Sequence, residues 1–188
     1  MAVGVILIVL AFILAVYNIA DEKRANAYAT ELAEQLKNSI SENIEEIPQY
    51  ILNPDMEMPV VEIDGHQCIG ILEIPCLELE LPVITEWSYP DLKYAPCRYK
   101  GSAYTDDLII AGHNYSRHFG ELKTLSAGDE IIFTDMSGNE FIYQVLQIDT
   151  LNNTDVDKME SGNWDLTLFT CTYGGVNRVT VRCERKSS

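Results

Sequence analysis

The residue in this chain best placed for covalent chemistry is a thiol at the end of an apolar run. Cys171 closes Leu166-Thr167-Leu168-Phe169-Thr170-Cys171, and the chain then turns through Gly174 and Gly175. Such a thiol emerges from a rigid element at a place a substrate can reach. Thiol attack on a carbonyl also needs a proton-transfer partner and donors aimed at the oxyanion. His113 can supply the first. Like Cys171 it ends a strand-like run, Leu108-Ile109-Ile110-Ala111-Gly112, ahead of a loop starting Asn114-Tyr115. Arg178 lies across the turn that follows Cys171 and can return its guanidinium toward the thiol if the two flanking strands are neighbours. Taken singly, each has an ordinary reading: a packing thiol, a structural histidine, a solvated arginine. Their joint occurrence is what points to acyl transfer.

The other candidates are weaker. Cys68, Cys76 and Cys97 read as small hydrophobes or one optional disulfide, and Cys183 as an inward packing residue. No CxxC occurs, so nothing supports a structural zinc site. His66 falls in a linker and His118 in a polar turn, where an exposed histidine is expected.

The elements that must hold these residues are strands. CIGILEI, LELELPVI, DLIIAG, DEIIFT, EFIYQVLQI, DLTLFTC and NRVTVRCER are β-type runs separated by turn residues, the pattern of an all-β barrel or sandwich. Helix is expected only in short turns at 89–93, 120–125 and 155–159. In the last run Val179, Val181 and Cys183 alternate with Arg178, Thr180 and Arg182, which places the apolar set inward and Arg178 on the open side.

Ahead of the strands, residues 2–20 carry no charge, long enough for an uncleaved signal anchor across a bilayer. The charges that follow, Asp21, Glu22, Lys23 and Arg24, nearly cancel and leave the orientation open. Residues 21–47 carry a helical stripe, Leu32, Leu36, Ile40, Ile44 and Ile47, read as an amphipathic stalk that packs on the domain or serves as an autoinhibitory or dimerising helix. Pro48, Pro54 and Pro59 then mark an extended linker, so the expected division is anchor 1–20, stalk and linker 21–59, and domain 60–188. A formal net charge of -16 argues against nucleic acid as a partner, since phosphate binding draws on Lys and Arg.

Together these residues resemble the sortase family. Thr167-Leu168-Phe169-Thr170-Cys171 matches its T-L-x-T-C signature, Gly112-His113 lies upstream and Arg178 downstream, and Leu122, Leu125 and Gly128-Asp129-Glu130-Ile131 are similar to the stretch after the family's histidine. The resemblance implies an eight-stranded β-barrel outside a Gram-positive cell membrane, with the N-terminus inside. It implies a transpeptidase that cleaves an LPxTG-like motif through a Cys171 thioester and passes the acyl group to a cell-wall or pilin amine. His113 is then the acid and base, Arg178 the oxyanion donor, joined by a backbone N–H near Thr172, and Thr170 and Thr172 the substrate contacts. No cofactor or metal is required. Residues 86–102 show no lid pattern, and the chain stops soon after Arg178 with no second span, which favours a housekeeping or accessory subclass over pilin polymerisation. The rival readings are a cysteine peptidase that hands the acyl group to water, and a non-catalytic tethered barrel.

Overall fold

A computed structural model describes residues 2–40 and 47–186 and gathers the strands into one sheet. They are β1 (Val61–Ile63), β2 (His66–Ile74), β3 (Leu79–Ile84), β4 (Cys97–Lys100), β5 (Leu108–Gly112), β6 (Glu130–Asp135), β7 (Glu140–Asn152), β8 (Leu166–Cys171) and β9 (Asn177–Arg185). Their order is β1-β2-β3-β4-β5-β8-β9-β7-β6, and β6 pairs back onto β2, which closes β2 to β9 into an eight-stranded barrel with β1 as a flap. Closure needs Gly70 in β2: a Cβ there would lie 2.2 Å from the Thr134 carbonyl oxygen of β6. The barrel interior is filled by Leu72, Ile110, Phe133, Phe141, Tyr143, Leu168 and Val181.

The short helical turns fall where expected, at Asp91–Lys93, Leu122–Thr124 and, as helix α3, Val156–Glu160, which follows α1 and α2 described next. Two strands, β1 and β4, have no counterpart among the expected runs. The face of β9 expected to be open is covered instead. Thr180 is fully buried and Arg182 is 3% exposed, because α3 lies over that face. The Arg182 guanidinium donates to the carbonyls of Lys158 (2.6 Å) and Met159 (2.6 Å), the last turn of α3, and to Thr167 Oγ1 (3.0 Å). A fork-shaped cation suits the unpaired carbonyls at a helix C-terminus.

Anchor and stalk are one unbroken helix, α1 (Ala2–Ser39). Its first half is an exposed apolar rod, long and apolar enough to cross a bilayer, with mean hydropathy 2.7 and none of that window buried. Its second half buries Ala25, Ala29, Leu32, Ala33 and Leu36, with Leu32 and Leu36 in a cluster with Ile71, Ile84, Ala95 and Met136 of the barrel. Of the remaining stripe, Ile40 packs at the edge, Ile44 lies outside the described residues and Ile47 is exposed. The proline segment is not a free linker. A one-turn helix α2 (Gln49–Leu52) follows Pro48, Tyr50 stacks on Tyr104 at 4.7 Å, and Met58 is buried in the core.

His118, expected to be exposed, has no accessible surface. It lies under α1 against the Ala25 backbone, and burial pushes its pKa down to about 4. All five cysteines are free. Ile84 pairs with Cys68 on one side and Cys97 on the other, so those two are two strand spacings apart, roughly 9–10 Å, beyond the reach of a disulfide.

Two outcomes are expected. A thiol reagent should label Cys76 and Cys171, the exposed pair, in the folded chain and reach the other three only on denaturation; rapid native labelling of Cys68 or Cys97, whose thiols burial pushes up to about 12, would contradict the packing. Stability should also fall as pH drops from 6.5 toward 4, because over that window the unfolded chain takes up a proton that folded His118 refuses. The full loss is about 3 kcal/mol, measured by denaturant titration in detergent. His118→Gln should flatten that dependence.

Candidate active site

One piece of strand register brings the chemistry together. β5 and β8 run parallel, with Ala111 paired to Phe169 and Gly112 to Thr170, so the residues that follow, His113 and Cys171, leave adjacent strand ends side by side. On the other flank of β8, Cys171 is directly paired with Arg178 of the antiparallel β9. The face is common too. Ile109 and Ala111 of β5 and Phe169 of β8 belong to a cluster on the outside of the barrel with Met159 of α3. Side chains alternate along a strand, so His113 and Cys171 continue that outer face, and Arg178 shares it with Arg182.

Each residue is held locally. Gly112 precedes His113 because the loop returns across it: a Cβ at Gly112 would sit 2.4 Å from the Phe119 ring, and the Phe119 N–H donates to the His113 carbonyl at 3.0 Å. Burial pushes the His113 pKa below the ordinary imidazole value; the Asp21 carboxylate opposes this and Lys93 adds to it. Its Nδ1 is buried without a hydrogen-bond partner. Cys171 is exposed. The Arg178 guanidinium folds over the turn, where it donates to the carbonyls of Gly175 (3.2 Å) and Asn177 (3.3 Å). Among the described residues no hydrogen bond joins Cys171, His113 and Arg178 to one another. Hydrogen bonds of this kind are often long before substrate binds.

Thr170 and Thr172, the expected substrate contacts, are placed otherwise. Thr170 faces the barrel interior, 3% exposed. Thr172 is tied into the turn: its N–H donates to the Asn177 carbonyl (2.9 Å) and its hydroxyl accepts from the Asn177 N–H (3.1 Å). That N–H is therefore engaged and does not face an oxyanion.

Beside the row of three lies an outer groove of about 200 Å³, lined among others by Trp87, Tyr99, Leu151, Met159, Phe169 and Arg178. Three of these were not singled out in the sequence. Trp87 and Tyr99 come from the connection and strand between residues 86 and 102, and Leu151 from an extension of β7 past the expected end. Tyr115 is a further addition. Its ring stacks on His113 with centroids 3.8 Å apart and planes 16° apart, and no periodicity marks it in the sequence. Among the described residues no cluster of His, Cys, Asp and Glu is suited to hold a metal.

Comparison with known proteins agrees with this arrangement. A family model of the sortase domain matches residues 72–186. Sortase A of Bacillus anthracis is 30% identical over 125 residues, 63% of this chain and 59% of that protein. Sortase D of Bacillus subtilis is 30% identical over 112 residues, 56% of this chain and 54% of that protein. The chain thus spans little more than half the length of these relatives. The crystal structure of sortase C1 from Streptococcus agalactiae superimposes with a TM-score of 0.60 at 27% identity, covering 88% of this chain and 90% of that one. With well over half of its residues matched to that domain, on a closed barrel of the same architecture, the chain belongs to the sortase family.

Proposed function

We propose that the chain is a membrane-anchored cysteine transpeptidase that cleaves an LPxTG-like sorting motif and transfers the acyl group to an amine. The observation that carries this reading is the row of His113, Cys171 and Arg178 on three adjacent strand ends of one face, set beside an apolar groove. The Cys171 thiol passes its proton to His113 as its Sγ attacks the carbonyl carbon of the scissile amide, and the resulting oxyanion lies on the Arg178 side of the sulfur. Its collapse forms the thioester and expels the amine, which leaves with a proton from His113. The incoming amine attacks the thioester and gives a proton to His113, which returns it to the Cys171 sulfur as the new amide departs, so that thiol and imidazole are both restored. The apolar residues that precede the scissile bond occupy the groove between Trp87, Tyr99, Met159 and Phe169. Thr172 acts by fixing the turn that carries Arg178, and Thr170 by supporting β8 from within. The apolar half of α1 is the anchor, with the barrel on the outer side of the membrane. The acceptor is an amine of a cell-wall peptide or a pilin.

Cys171→Ala and His113→Ala should abolish cleavage of a fluorogenic sorting-motif peptide, and Arg178→Ala should lower kcat by about 10²-fold or more, as loss of an oxyanion donor does. Arg178→Lys should remain severely impaired, since an ammonium lacks the planar fork. Arg182→Ala should instead lower the Tm through lost contacts to α3. Equal catalytic loss from Arg182→Ala with an active Arg178 variant would mean that the oxyanion donor is the wrong arginine.

Transfer is separated from hydrolysis by the acceptor. A thioester reacts with both water and amines, so adding a glycine-like or lysine side-chain amine should yield a new amide by mass spectrometry and speed turnover where deacylation limits it. Only hydrolysed peptide, at a rate independent of every amine tried, would favour the peptidase reading.

A further inference from the structure

A histidine that shuttles a proton must hold one ring orientation, and in many enzymes a carboxylate or carbonyl on Nδ1 fixes it. Here Nδ1 of His113 is buried with no hydrogen-bond partner; the Asn114 side chain bears on the ring by hydrogen bonding, and packing sets the rest of its orientation. The packing is the Tyr115 ring, 3.8 Å away and within 16° of parallel. Tyr115 is in turn held from outside the barrel. Its hydroxyl donates to Asp21 Oδ2 of α1 at 2.8 Å. The next residue is clamped to the same helix: the Ser116 N–H (2.7 Å) and hydroxyl (2.6 Å) both donate to Glu22 Oε1, and those bonds hold the Glu22 carboxyl below its usual range. His118, further along the loop, is buried under Ala25. The loop that carries the histidine is therefore fastened to α1 at three points, two of them at the first polar residues after the apolar run.

We propose that Tyr115 is a positioning residue for His113, and that Asp21 of the stalk sets its place, so that the membrane helix completes the active site. The inference rests on the proposed role of His113 in acyl transfer. The charged and titratable groups around the ring are Asp21 and Glu22 on α1, Lys93 on the short turn opposite, His118 and Tyr115 on its own loop, and Cys171 on the neighbouring strand. Of these, Asp21 and, to a smaller extent, Glu22 raise the proton affinity of His113, so removal of the Asp21 charge has a signature that loss of a mere structural contact lacks.

The test uses the full chain in lipid nanodiscs with a sorting-motif peptide. Tyr115→Ala is expected to lower kcat by about tenfold with KM within about twofold of wild type, the mark of a misplaced group as opposed to weaker binding. Tyr115→Phe keeps the ring but loses the bond to Asp21, and should recover only part of that loss; full recovery would overturn the role given to Asp21. Asp21→Asn should shift the His113 ring titration, followed by NMR, to lower pH, and move the corresponding limb of the pH–rate profile with it. Tyr115→Ala with wild-type kcat and an unmoved profile would overturn the inference and leave the proposed function standing. So would a loss confined to KM, or an Asp21→Ala variant that turns over faster, since the helix would then act as a brake. A wild-type chain with no Cys171-dependent turnover would overturn the proposed function, and the inference with it.

Discussion

Everything at the site depends on β5 and β8 being parallel neighbours in register. Most pairings in this barrel are antiparallel, and antiparallel neighbours joined by a short turn bring the end of one strand to the start of the next. A parallel pair brings two C-terminal ends together, from segments far apart in the chain. That is how Gly112 and Thr170 become partners, and how a histidine and a thiol leave the sheet side by side. The cost is a long crossover, because parallel strands cannot be joined by a hairpin. The chain fills it with the β6–β7 hairpin, which closes the barrel, and with α3, which covers the outer face of β8 and β9 and supplies one wall of the groove. The connection needed for the register thus also builds the place where a peptide can lie.

The second constraint is the seam between α1 and the barrel. Three of its five buried residues are alanines, at positions 25, 29 and 33, and small side chains let a helix approach a sheet closely. Leu32 and Leu36 provide the apolar area, each worth about 1.5–3 kcal/mol when fully buried. The seam also has polar ends. Asp21 and Glu22 bond to the loop after His113, and Lys37 pairs with Glu80 at the start of β3. The exposed ion pair contributes little energy, but with the hydrogen bonds at the other end it fixes the register of the helix along the barrel.

Much of this was legible because the chemistry sits where local patterns change. Cys171 and His113 each follow an apolar run, which marks a strand end, and the few residues between Cys171 and Arg178 leave room for little but a turn. What stayed hidden depends on contacts across long stretches of sequence. Asp21 and Tyr115 are 94 residues apart, and neither lies in a pattern that announces the other. Strand β4 is four residues long and reads Cys-Arg-Tyr-Lys, too short and too charged to show alternation. Arg182 looked like a surface cation because β9 alternates cleanly; its burial comes from α3, which no property of β9 reveals. His118 is hidden in the same way, since a polar turn becomes an interior once a helix from the far end of the chain lies across it.

The unbroken course of α1 bears on reach. A domain hung on a flexible linker sweeps out a volume that grows with the linker's length. With residues 2–20 in a bilayer, as proposed, no flexible linker would separate that segment from the barrel face: the first residue past the apolar run is already bonded to the loop after His113. The proposed anchoring would hold the thiol at a fixed height, in a thin layer just above the lipid. Partners confined to that same layer meet it at high effective concentration, and those free in the surrounding medium do not. For such an enzyme, encounter is a search in two dimensions.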